Sequence, residues 1–211
     1  SIKPNRFPKP VRFENQLTIN MKIDYFEPGV VYHVFNRGNN KEDIFKEEKN
    51  YMYFLSLLQK YVMPVAEIYA YCLMKNHFHL VVRIKDADLL EDKYKKKPYL
   101  GFSNLFNAYT KSINKMYNRT GSLFQEHLHR KRVEDDEYLM QLIAYVHLNP
   151  VKHEFTDDFK NYRYSSYKAY VSAKPTNVTC DYVMSLFGDI ANFEYWHNLN
   201  KLKIEDTVED I

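Results

Sequence analysis

The 211-residue chain is 45% hydrophobic and 27% charged, with a net charge of +3. These ordinary globular values exclude disorder along the whole chain and allow one domain plus an appended segment. Nineteen tyrosines stand beside five glycines, neither GxGxxG nor GxxxxGK occurs, and Cys72 and Cys180 form no CxxC, which leaves no Gly-rich phosphate loop, disulfide framework or thiolate zinc site.

Residues 1–24 contain Pro and Lys without clear period and read as an arm. Val30 to Asn36 is β-branched and aromatic, a strand ending in the turn Arg37-Gly38-Asn39-Asn40. Asp43 to Met63 carries Phe45, Met52, Leu55, Leu58 and Val62 at helical spacing, closed by Pro64. Glu67 to Met74 and His77 to Ile84 read as a strand pair joined by Lys75-Asn76. A charged loop follows over residues 86–98, and Ser103 is expected to cap a second helix reaching about Tyr117. Leu128 to Val133 reads as a basic strand. Asp135 or Asp136 caps a third helix with Leu139, Ile143 and Val146 on its apolar stripe, and Pro150 ends it. Beyond Val151 one or two short helices precede an acidic tail, whose last eight residues hold four acids and no base.

This order predicts an α+β fold, an RRM-like or ferredoxin-like antiparallel sheet with helices on one face. The expected division is an arm (1–24), a catalytic domain (25–170) and a C-terminal extension (171–211). No apolar run reaches the ~18 residues of a membrane span, and no signal-peptide pattern opens the chain, so a cytoplasmic protein without a membrane partner is expected.

Side chains alternate across a strand, so His77 and His79 project to one face and can converge on one metal ion, while Phe78 points to the core. Alone, an HxH pair is a weak signal and reads first as two core or surface histidines. Tyr145 and Asn149 are four apart on the third helix and share a face, with His147 roughly opposite. Positive charge gathers at Lys93 to Lys97 and across His127 to Arg132, suited to a phosphate backbone or to a solvated surface. His33 either faces the site or is a buried histidine. Tyr109 and Tyr117 are further candidate nucleophiles, although Tyr109 falls on an apolar stripe.

Taken in order, YHVFNRGNN (Tyr32 to Asn40), AYCLMKNHFHLVV (Ala70 to Val82), GSLFQ (Gly121 to Gln125), LIAYVHLNPV (Leu142 to Val151) and YSSY (Tyr164 to Tyr167) resemble the REP-associated tyrosine transposases. These are a branch of the HUH superfamily of single-tyrosine, single-strand DNA transposases. The resemblance covers about residues 28–170. One departure is Glu126-His127-Leu128, where family members often carry a basic-aromatic run.

The resemblance implies an HUH nuclease fold with His77, His79 and Asn149 as metal ligands, Tyr145 as nucleophile, and Mg or Mn as the ion. It implies a substrate of single-stranded or hairpin DNA, a monomer or homodimer, and a nucleoid-associated protein. Basic and amide side chains placed to contact DNA are Arg37, Asn39, Lys111, Asn114, Lys115, Arg130, Lys131 and Arg132. Two other readings are a domesticated, non-catalytic binder of hairpin DNA or RNA, and a metal-dependent hydrolase of a small substrate, which lacks an obvious general base.

Overall fold

In the computed structural model, which describes residues 26–172 and 174–205, four strands form one sheet: Val31–Arg37 (β1), Ala66–Met74 (β2), His77–Ile84 (β3) and His129–Arg132 (β4). The order is β2-β3-β1-β4 and every neighbouring pair is antiparallel. The expected arm and residues 206–211 of the acidic tail lie outside the described residues.

The helices are Glu48–Leu57 (α1, continued by a wider turn over Leu58–Val62), Asp92–Lys95 (α2), Tyr99–Met116 (α3), Asp136–Lys152 (α4), Tyr167–Val171 (α5), Cys180–Phe187 (α6) and Ile190–Glu205 (α7). They cover both faces of the sheet, where the sequence led us to expect one. Strand alternation sends Tyr32, Val34, Phe78, Leu80 and Val82 into a core with Phe54 of α1 and Phe102 and Leu105 of α3. Val81, Cys72 and Met74 meet Leu142, Ile143 and Val146 of α4 on the other side, together with Val183, Phe187 and Phe193 of α6 and α7. Tyr69 is an extra residue in β2, where the register shifts between Ile68 and Ala70. This bulge flips the alternation, so that Ile68 serves the first core while Ala70, Cys72 and Met74 serve the second.

Several boundaries differ from the sequence reading. The first helix begins at Glu48 rather than Asp43, because the Ile44 and Phe45 amides both donate to the Lys75 carbonyl at the β2–β3 turn; Glu47 and Asn50 then form a capping box. α3 begins at Tyr99, so Ser103 lies within it rather than capping it. Its first turn comes close to the Leu58–Val62 turn that continues α1 at Gly101, where a Cβ would stand 2.6 Å from the Tyr61 carbonyl oxygen. Within the expected loop 86–98, α2 buries Tyr94. Asp135 caps α4 by accepting the Tyr138 amide at 2.7 Å. Pro150 sits inside the last turn of α4, which continues to Lys152 rather than ending at the proline as expected; the proline withholds its own N–H from the helix. α7 runs for 16 residues, longer than the short helices expected. Two of its inward residues are Phe193 and the polar His197, which blurs the apolar period. No helix among the described residues is long and apolar enough to cross a membrane.

Candidate active site

Registers between strands determine which side chains meet. Arg37 pairs with His77, and Phe35 pairs with both His79 and His129, while His33 pairs with Val81 and Lys131. Directly paired residues share a face, so these side chains all stand on the side of the sheet that carries α4. The helix lies over β2 and β3 and presents Tyr145, Asn149 and His153 at successive four-residue steps, one stripe along its surface. The Tyr145 ring lies 5.7 Å from that of His79 and 6.2 Å from that of His33. At the other end of the stripe, the His153 ring is 4.8 Å from His77. His77 and His79 are 5.4 Å apart, ring to ring. Asn149, fully buried, is therefore bracketed by the two contacts. Lys152 adds an ammonium group 5.5 Å from the centre of the Tyr145 ring.

The hydrogen bonds leave specific atoms available. His77 Nδ1 is 2.7 Å from Asn76 Oδ1, and His79 Nδ1 is 2.9 Å from His33 Nε2. A metal-bound imidazole commonly donates its second N–H to such a partner, and here the Nε2 atoms of His77 and His79 are left for a ligand. Asn149 donates its side-chain amide to the Tyr145 carbonyl oxygen at 2.8 Å, while its buried Oδ1 has no hydrogen-bond partner among the described residues. A buried acceptor without a donor is costly. Two imidazole nitrogens and this amide oxygen fit a divalent cation. Among the described residues no group of three or more His, Cys, Asp or Glu could hold a metal, so such a site depends on the asparagine oxygen.

The electrostatics favour an anion. Burial, with Lys131 adding to it, lowers His33 to about 3; burial, His153 and Arg37 bring His77 to about 3 as well. His79 lies well below its ordinary value, again through burial first and then the neighbouring imidazoles and Lys152. Burial, Lys152 and Arg37 lower His153, and burial lowers the Lys152 amine. Every charged group acting on these histidines is basic; no carboxylate is among them. The imidazoles are consequently neutral at pH 7, as ligation requires. Burial pushes the Tyr145 phenol above its usual range, against the pull of a side-chain hydrogen bond from Asn149.

The basic residues singled out in the sequence separate into groups. Arg37 and Lys131 belong to the site's face. Arg130 and Arg132 turn to the other face, where Arg130 lies over the Phe26 ring at 4.9 Å and Arg132 pairs with Glu27 at 3.2 Å. Asn39 is exposed at the end of β1, and Lys111 and Lys115 are exposed on α3. Asn114 braces the loop after α3, donating to the Gly121 carbonyl and accepting from Arg119. Tyr109 is fully buried and donates to the Ile44 carbonyl, and Tyr117 bonds Glu47 and Asn50; both lie away from the histidines. His33 is both buried and at the site. Phe35, His129, Lys152 and His153 were not singled out in the sequence. Phe35 and His153 had a signal, since they stand two residues from His33 and four from Asn149.

No protein-family model matches the chain. A protein of Haemophilus influenzae described as "Putative REP-associated tyrosine transposase" is 25% identical over 117 residues, 51% of this chain and 62% of that protein. The chain thus spans less than two thirds of that relative's length. A solved REP-associated tyrosine transposase bound to a REP hairpin matches with a TM-score of 0.57 at 13% identity, covering 74% of this chain and 93% of the other. The two share a fold. Both similarities fall on the family that the motifs resemble.

Proposed function

We propose that this chain is a REP-associated tyrosine transposase that cleaves and rejoins single-stranded DNA at hairpin-forming repeats, with Tyr145 as nucleophile and a Mg or Mn ion held by His77, His79 and Asn149. The observation that carries the reading is the meeting of Tyr145 with His79 across the α4–β3 contact, 66 residues apart in the chain. A bound divalent ion would polarise the scissile phosphate and offset charge on the departing oxygen.

The residues of the chain supply the rest. Tyr145 Oη attacks phosphorus and loses its proton as the bond from phosphorus to the 3′ oxygen breaks. The 3′ oxygen takes up a proton and leaves as a hydroxyl. The phosphate stays a diester, now joined to tyrosine through its 5′ side, so a second 3′-hydroxyl can reverse the step and join new ends. No nucleotide cofactor is needed. A phenol is mostly protonated at neutral pH, burial adds to that at Tyr145, and the side-chain hydrogen bond from Asn149 favours the ionised form as attack proceeds. Arg37 and Lys131 supply positive charge to the phosphate backbone around the site.

Incubating the protein with hairpin oligonucleotides bearing single-stranded flanks, with Mn or Mg, tests this. A covalent adduct is expected with wild-type protein and none with Tyr145→Phe, which should still bind DNA. An adduct formed by the variant removes Tyr145 from the nucleophile's role. Metal-independent binding with no adduct on any hairpin identifies a non-catalytic binder instead.

A further inference from the structure

We propose that Phe35 and His129 form a stacking platform for an unpaired nucleobase of the single-stranded DNA beside the scissile phosphate. The proposal deepens the transposase reading above and rests on it. Three rings run in a row across three strands on the α4 side of the sheet: His79 on β3, Phe35 on β1 and His129 on β4. Phe35 lies 5.7 Å from His79 with 28° between planes, and 5.1 Å from His129 with 13° between planes. The inner ring is the candidate metal ligand in contact with Tyr145. The outer ring stands exposed on an edge strand. Because α4 lies over β2 and β3, it leaves this half of the face open, with Phe35 only half-buried.

An aromatic row ending in solvent can be extended by a base, since every base has a π-face. Its surroundings fit a nucleotide rather than an apolar peptide. Lys131, next to His129 in β4, pairs with His33 on this face, and Arg37 stands two residues beyond Phe35 on the same side. These cations can meet the phosphates flanking a stacked base. Burial, His127 and Lys131 lower His129, which keeps its ring uncharged at neutral pH. A base added beyond His129 extends a row that begins at His79, so the strand that carries it is held on the face where the candidate metal ligand meets Tyr145.

The probe is a hairpin oligonucleotide with a short single-stranded dT flank, 2-aminopurine replacing one flank base at a time. With wild-type protein, fluorescence quenching is expected at one flank position. Phe35→Leu and His129→Ala should each abolish that quenching and weaken flank-dependent affinity by about five- to hundredfold, the loss of one base–aromatic stack. Phe35→Tyr should preserve both. The salt dependence of binding should be unchanged in these variants, whereas Lys131→Ala should lower its slope by about one phosphate contact. His129→Ala changes an exposed edge-strand residue and tests the platform even if Phe35→Leu fails to fold. Unchanged quenching and affinity in both variants, or no quenching with the wild type, overturns the platform. Adduct formation by wild-type protein with these variants unaffected would leave the transposase reading standing. Quenching that the variants abolish, without an adduct on any hairpin, would uphold the platform and reject the chemistry.

Discussion

The ring of His79 has two nitrogens with competing demands. If Nε2 is to face a cation, its proton must sit on Nδ1 and be donated to His33 Nε2, 2.9 Å away; the opposite sense would leave Nε2 protonated and unable to ligate. With the metal site proposed above, His33 would act as a positioning residue. His33→Ala should weaken Mn binding by about 10–100-fold, the usual loss when the outer hydrogen bond of a ligand is removed. His33→Gln, which retains an acceptor, should recover part of it. Titration of each variant with Mn checks this, and equal affinities would make His33 merely a packed residue. At this scale much of the site was legible. Alternation alone puts His77 and His79 on one side of a strand, and a four-residue step puts Tyr145 and Asn149 on one side of a helix. The contact of His33 with His79 was not legible, because it joins two strands 46 residues apart.

α4, the element that carries Tyr145, is anchored from behind by a buried polar chain. His197 Nδ1 donates to the Phe193 carbonyl at 2.7 Å, leaving Nε2 to accept from His147 Nδ1 at 2.9 Å. His147 Nε2 then accepts from the Ser166 hydroxyl at 2.8 Å, and Ser166 Oγ accepts the Tyr71 amide at 2.8 Å. Two neutral rings satisfy every group in this chain, and burial opposes a charge on either ring. Burial accordingly lowers His197 to about 4 and His147 well below 6.5. The unfolded chain takes up these protons below about pH 6.5 and the folded one does not, so the stability they allow is complete above that pH and lost as pH falls toward 4. His33, His77 and His79 act in the same direction. Urea unfolding should therefore give a flat stability near pH 7–8 and a decline below pH 6.5, of up to about 1.4 kcal/mol per pH unit for each such imidazole. A profile level down to pH 5 would contradict the neutral network. In the sequence His147 showed only as the residue opposite Tyr145, and α7 was obscured because its buried face includes a histidine.

Across the whole molecule, the sheet divides two cores, and the second includes the C-terminal helices. Leu139, Leu142, Ile143 and Val146 of α4 share it with Val183, Phe187 and Phe193. Fully burying one such side chain contributes about 1.5–3 kcal/mol. A chain ended after residue 172 would lose α6 and α7 and uncover the back of α4. We expect that truncation to lose cooperative thermal unfolding and to bind an apolar dye; a sharp unfolding transition near that of the full chain would show α6 and α7 to be dispensable for the fold. The sequence by itself determined the order of the four strands and of α1, α3 and α4, the antiparallel α+β sheet, the side on which each His and Tyr stands within its own element, and the scarcity of glycine that excludes a phosphate loop. Those properties follow from local periodicity and residue type. Only the tertiary structure decided that helices cover both faces, that Lys131 but not Arg130 or Arg132 faces the site, and that His33, Phe35, His129 and His153 surround the HxH pair. Those facts depend on register between strands and on how a helix packs across them. Neither register nor packing has a period that one stretch of chain can display.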